Sequence, residues 1–138
     1  MKDTGRIQLM QSGVIPYRLK DNRFEMMIVT TAGRNGWTIP KGHIEPGYSA
    51  SASACKEAFE EAGILGDLIK PNIGTYTYDK YGRICCVKVF LLKVTKVLDQ
   101  WPEQYLRTRK WASIDKASRC VSKNDLSRLI YTLKKRTF

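Results

Sequence analysis

Apolar residues fall in short alternating or continuous blocks through the first forty positions, which predicts strands before any chemistry is considered. Residues 7–19 read as a first strand, bent at Gly13 or Pro16. Residues 24–31 (FEMMIVTT) are apolar almost throughout and predict a strand buried on both faces. Lys20-Asp21-Asn22-Arg23 joins the two as a hairpin. Residues 32–36 form a loop, 37–39 a short strand stopped by Pro40, and 40–47 a further loop. The period then changes. Residues 49–62 predict a helix, capped at its start by Ser49 or Ser51 and closed by Gly63 followed by Ile64. At about 100° per residue, Ala52, Cys55, Phe59 and Ala62 share the face expected to pack on a sheet. Glu57, Glu60 and Glu61 then lie on the opposite, outward side, within an arc of about 100°.

Beyond the helix, residues 69–78 and 84–97 predict two long strands joined by a turn at 79–83. Val87, Val89 and Leu91 mark the second as central. Residues 107–112 add a short strand, and Ser113-Ile114-Asp115 opens a short helix. Residues 123–135 predict an amphipathic helix with Leu126, Leu129, Ile130 and Leu133 as its buried stripe. Hairpin-joined strands mixed with helices point to an α/β (α+β) sandwich around a mixed sheet, not to a doubly wound parallel fold.

A chain of 138 residues fits one domain, 1–138, with loose ends expected at 1–6 and 136–138. A hydrophobic fraction of 43% supports a folded core. The balance of 24 Lys+Arg against 13 Asp+Glu gives a net charge of +11, which implies a polyanionic partner: nucleic acid, nucleotide, polyphosphate or acidic membrane. The four cysteines (Cys55, Cys85, Cys86, Cys120) form no CxxC pair and His43 is the sole histidine, which argues against structural zinc. We read the cysteines as reduced, mostly buried thiols of a cytoplasmic protein. No apolar run reaches membrane-spanning length, and residues 1–6 lack the apolar core of a signal peptide.

Against this basic background, three of the six glutamates fall within five residues, at Glu57, Glu60 and Glu61. Read alone, such a trio is a solvated acidic helix face. Gly42, 15 residues before Glu57, changes that reading. The stretch Pro40-Lys41-Gly42-His43-Ile44-Glu45-Pro46-Gly47 brings bare backbone next to the helix, and glycine lets a carbonyl approach a metal or phosphate. Carboxylates at i, i+3 and i+4 converge on one patch, and an oxygen donor set selects Mg²⁺ or Mn²⁺ over zinc.

Gly42, Glu57, Glu60, Glu61, Gly63 and Ile64 stand at the spacing of the Nudix hydrolase signature, and over residues 42–64 the chain resembles that family. Two positions depart from it: Tyr48 stands where a glutamate is expected, and Lys56 where an arginine is expected. The resemblance implies a Nudix-type α-β-α sandwich and hydrolysis of a phosphoanhydride, with Gly42, Glu57, Glu60 and Glu61 holding Mg²⁺ (or Mn²⁺). It further implies catalytic roles for Glu57, Lys56 and Glu61, with Lys56 steadying Glu57 less firmly than an arginine fork would. Glu103 is an alternative base, and Glu45 is near enough in sequence to replace the missing acid.

The segments Trp37-Thr38-Ile39-Pro40-Lys41-Gly42 and 97–103 are similar to the branch acting on diadenosine polyphosphates and diphosphoinositol polyphosphates. That likeness implies a small-molecule polyphosphate substrate ringed by cations. By position the candidates are Arg18, Arg34, Lys41, Arg83 and Lys123, with Arg18 and Lys41 foremost because they flank the glycine loop. The competing reading is a degenerate module that binds nucleotide or RNA without efficient catalysis; the retained, mutually repelling glutamates favour catalysis. Either a monomer or a homodimer fits the chain.

Overall fold

The computed structural model describes residues 7–138. The chain runs β1 (Gln8–Lys20), β2 (Arg23–Thr30), β3 (Trp37–Thr38), β4 (Lys41–His43), α1 (Ala50–Ala62), β5 (Ile64–Lys80), β6 (Arg83–Val97), β7 (Arg109–Ala112), α2 (Ile114–Cys120) and α3 (Asn124–Tyr131). A 3-10 turn at Thr132–Lys135 follows. The strands form one sheet in the order β3-β2-β1-β6-β5, with β4 added to β1 and β7 to β2. Only β1 and β6 run parallel, so the sheet is mixed.

Turn chemistry explains the two hairpins. Asp21 and Asn22 (φ 53° and 63°) link β1 to β2, and Tyr81 and Gly82 (φ 50° and 75°) link β5 to β6. Positive φ at both central residues matches the right-handed twist of the flanking strands. Residues 40–47, expected to be loop throughout, contain β4. It pairs with β1 so that Gly42 faces Ser12 and Lys41 faces Gly13. β1 therefore serves two partners on one edge: β4 along its first half, β2 along Tyr17–Lys20.

Helices cover both faces of the sheet, giving the α-β-α sandwich. Alternation along each strand divides the core in two. Ile15, Met26, Ile28, Val87 and Leu91 face α2 and α3, where Leu126 and Ile130 of α3 and Leu133 of the 3-10 turn close that layer. Val14, Met27, Val29, Phe90 and Leu92 face α1.

The face that α1 presents differs from the expected one. Ala54, Ala58 and Ala62 are fully buried together with Ser53, Glu57 and Glu61, whereas Phe59 is 38% exposed and Cys55 is exposed. Side-chain size is the reason. An alanine column at i, i+4, i+8 lets the helix sit close on the sheet, and the neighbouring column of Ser53, Glu57 and Glu61 turns in with it. Apolar periodicity alone assigned Phe59 to the core. The thiols also depart from expectation: all four are free, but only Cys85 is buried. At the C-terminus, where a loose end was expected, Phe138 packs on Phe24 and Tyr17 (ring centroids 4.4 and 5.0 Å apart). Residues 1–6 lie outside the described residues.

Two substitutions separate the observed helix face from the expected one. Ala58→Leu should cost about 1–3 kcal/mol by overpacking, and Phe59→Ala about 0.5 kcal/mol as a surface change, both read from urea unfolding. The reverse order would restore the sequence-derived face.

Candidate active site

The close seating of α1 brings two carboxylates indoors. Glu57 is 9% exposed and Glu61 6%. Glu57 lies directly on Gly42: a Cβ built there would stand 2.5 and 2.6 Å from its two carboxylate oxygens. Any side chain at 42 would thus displace Glu57. Glu61 accepts the Lys41 backbone N–H at 3.2 Å and an Arg107 guanidinium N–H at 3.1 Å. Burial still pushes the Glu61 carboxyl up to about 8, with Arg107 and the Lys41 N–H opposing it. Glu57 is also raised, by burial first and then by the Glu60 charge.

Glu60 is half-buried and turned to Lys56, whose ammonium lies 3.2 Å from it and 2.8 Å from Glu45. Hydrogen bonds to Glu45 and then Glu60 hold that ammonium above the ordinary lysine range. Lys56 therefore makes its hydrogen bonds to Glu45 and Glu60, while the resemblance implied that it steadies Glu57. The side chain of Tyr48 is largely exposed, its ring 5.9 Å from the Lys56 ammonium.

The segment 98–108 closes the other side of the helix. Trp101 Nε1 donates to the Glu61 carbonyl (3.1 Å), and the Glu103 N–H to the Glu60 carbonyl (3.0 Å). Arg109 stacks 3.8 Å over the Trp101 ring and donates to the carbonyls of Ala62 and Leu98, both at 2.7 Å. Gly63 permits this contact. It sits in the left-handed region (φ 65°), and a Cβ there would strike Trp101 and Arg109 at 2.7 and 2.8 Å. Arg107 is fixed by Glu103 (2.8 Å) and the Thr30 carbonyl (3.0 Å) as well as Glu61.

Beside Glu61 opens a cavity of about 450 Å³ whose lining includes four cations, Lys41, Lys80, Arg107 and Lys123, against one acid, Asp79. Tyr78 organises two of these cations. Its hydroxyl accepts from Lys41 Nζ (2.9 Å) and donates to Gln11 Oε1 (2.9 Å), and Lys123 Nζ stands 5.7 Å from the same ring. Burial lowers the Lys41 pKa, which favours a bound anion that restores its charge.

Of the five cations named from sequence, Lys41 and Lys123 reach this cavity. Arg18 pairs with Glu25 at 2.8 Å and covers Trp111, away from it. Arg34 donates to the Tyr105 carbonyl at 2.9 Å. Arg83 lines an adjoining depression with Leu9 and His43, which shares Lys80 and Tyr81 with this cavity. Sequence reasoning missed Arg107, Lys80, Tyr78 and Gln11. For Arg107 no local pattern marked the residue.

The donor set suits a hard divalent cation. Gly42 leaves a cradle that a Cβ would fill, and the two acids that burial drives toward neutrality would regain charge beside a dication. Among the described residues, no three His, Cys, Asp or Glu side chains already converge as a closed cage. Glu60 and Glu61 instead engage Lys56 and Arg107. Releasing Glu60 costs little, since solvent screens partly exposed ion pairs.

The model of the NUDIX domain family matches residues 12–133. The chain belongs to the Nudix family. It is 32% identical over 127 residues to "Nudix hydrolase 12, mitochondrial" of Arabidopsis thaliana, covering 77% of this chain and 63% of that protein. It is 31% identical to "Nudix hydrolase 18, mitochondrial" of the same plant, covering 82% and 68%. A bovine relative, diphosphoinositol polyphosphate phosphohydrolase 3-beta, is 28% identical over 71% of this chain and 61% of its own. The chain thus spans roughly two thirds of the length of these Nudix relatives. In fold it is similar to a C. elegans Ap4A hydrolase in a binary complex (TM-score 0.81, 24% identity, 91% of this chain and 95% of that one). Among the described residues no helix is long and apolar enough to cross a membrane.

Removing Arg107 leaves Glu61 buried with the Lys41 N–H and the Glu57 carboxyl as its remaining polar contacts. Arg107→Ala should therefore destabilise by roughly 3 kcal/mol, measured by denaturant unfolding without divalent cations. Adding Glu61→Gln should recover part of that loss; a double variant no more stable than Arg107→Ala would contradict the pairing.

Proposed function

We propose that this protein hydrolyses a phosphoanhydride bond in a nucleoside- or inositol-linked polyphosphate, with a divalent cation held by Glu57, Glu60, Glu61 and the Gly42 carbonyl. The observation that carries the reading is a juxtaposition. Two buried acids on a bare glycine backbone stand beside a cavity whose walls carry four cations. Carboxylates serve a cation and an activated water, while the basic walls serve a polyanion. The name of the bovine relative supports an inositol-linked substrate among these.

The chemistry balances as a single displacement. A water oxygen bonds to phosphorus, the bridging P–O bond breaks, and its electron pair leaves with the departing phosphate. The water's proton passes to a carboxylate, with Glu57 the foremost candidate and Glu103 the alternative. Lys41 and Arg107 line the route of the developing negative charge, and Lys80 and Lys123 hold phosphates further out. Tyr78 orients Lys41 and shares its ring with Lys123. Arg18, Arg34 and Arg83 are engaged or placed elsewhere and have no part in the proposed contacts. A divalent cation, when bound, neutralises phosphoryl charge and acidifies water; Mg²⁺ and Mn²⁺ suit the oxygen donors.

Glu60→Gln and Glu61→Gln should each lower turnover by about 10²-fold or more, with the thermal melt retained. The assay is product identification with diphosphoinositol polyphosphates, diadenosine polyphosphates, nucleotide sugars, dNTPs and 5′-triphosphate RNA, under Mg²⁺ and Mn²⁺. Full activity in either variant would sink the site. Salt-sensitive RNA binding without turnover on any substrate would favour a binding module instead.

Tyr78→Phe keeps the ring and loses the hydroxyl bridge between Lys41 and Gln11. It should raise KM for the polyphosphate about tenfold, the worth of one charge-assisted hydrogen bond. An unchanged KM would remove Tyr78 from substrate binding.

A further inference from the structure

The signature acid missing at Tyr48 has a counterpart three residues upstream. The Glu45 N–H reaches Ser53 Oγ at 3.4 Å, and that hydroxyl donates to the His43 carbonyl at 3.4 Å. The Tyr48 N–H closes a turn on the Glu45 carbonyl at 3.0 Å. These bonds fix the loop over α1 and set the Glu45 carboxylate 2.8 Å from Lys56 Nζ. The same ammonium lies 3.2 Å from Glu60 Oε2. One cation is thus shared between a loop carboxylate and a helix carboxylate. The i,i+4 pair has lysine on the N-terminal side, the poorer orientation on a helix, so Glu45 is an effective competitor for it.

We propose that Glu45 is a positioning residue that draws Lys56 off Glu60 and so keeps Glu60 available to a divalent cation. The inference rests on the cation reading of the site given above. Without Glu45, the ammonium has Glu60 as its one carboxylate partner, and a cation must displace it. With Glu45 present, Lys56 keeps a partner when Glu60 turns to the cation. Lys56, at the signature's arginine position, is thereby served by an acid at position 45, with Tyr48 at the position where the signature has one.

The test is Mn²⁺ affinity measured by electron paramagnetic resonance, which needs no substrate and no turnover. The proteins are wild type, Glu45→Gln, Lys56→Gln, the double variant Glu45→Gln/Lys56→Gln, and Glu45→Gln/Tyr48→Glu. Thermal melts in EDTA confirm that each is folded. Glu45→Gln should weaken Mn²⁺ binding about threefold, the scale of one partly exposed ion pair. In the Lys56→Gln background the same change should have no effect, because no ammonium remains to be held back. Tyr48→Glu should restore affinity to Glu45→Gln, since position 48 lies beside the same ammonium. Equal losses in both backgrounds would overturn the proposal, because Glu45 would then act as a direct ligand or by charge alone. Unchanged affinity in Glu45→Gln would overturn it too. Failure of the wild type to bind Mn²⁺ would instead remove the cation reading and this inference together.

Discussion

The structure turns on the burial of two carboxylates, Glu57 and Glu61, between α1 and the glycine strand β4. Isolated ionised acids are costly to remove from water. Three features offset that cost: a peptide N–H from Lys41, the Arg107 guanidinium, and the protonation that burial itself encourages in Glu61. The alanine column on α1 exists to make the approach possible. Gly42 exists to leave room for Glu57 once it is there. Replacing a buried ionic group with apolar side chains is often neutral or stabilising, so the two acids are not there for stability.

Segment 98–108 is the second consequence. Its backbone and side chains bind the last turn of α1 at the carbonyls of Glu60, Glu61 and Gly63, and Arg109 of β7 takes that of Ala62. In the same stroke it delivers Arg107 to Glu61 and to the wall of the basic cavity. Acid burial and cation presentation are therefore one structural unit. Among the cavity's other cations, Lys41 is held through Tyr78 and Gln11 on β5 and β1.

How much of this was legible in the sequence follows from which interactions are local. Strand blocks, the Ser49 cap and the Gly63 stop depend on residues within a few positions, and most elements appear where the pattern predicts them, apart from β4 in the expected loop and a β5 that starts at Ile64 instead of residue 69. Spacing from Gly42 to Glu61 also survives in one dimension, so the family was readable. The inward turn of Glu57 and Glu61 was not, because hydrophobic periodicity assigns Phe59 to the core and charge to solvent, while close helix–sheet contact rewards small size. Arg107 stands 46 residues from Glu61, and no local pattern marks it. Arg18 and Arg34 looked suitable by their place along the chain, but Glu25 and the Tyr105 carbonyl take them up. The destination of Lys56 depended on how the loop at 43–48 folds over the helix, which spacing does not encode.

The proposed chemistry stands or falls with a divalent cation in the Gly42 cradle. Anomalous diffraction from crystals soaked in Mn²⁺ would locate it. The expected peak is bounded by the carboxylates of Glu57, Glu60 and Glu61 and the carbonyl of Gly42, with Glu60 turned away from Lys56. A cradle without a peak at saturating Mn²⁺, or Mn²⁺ bound only elsewhere on the protein, would contradict it.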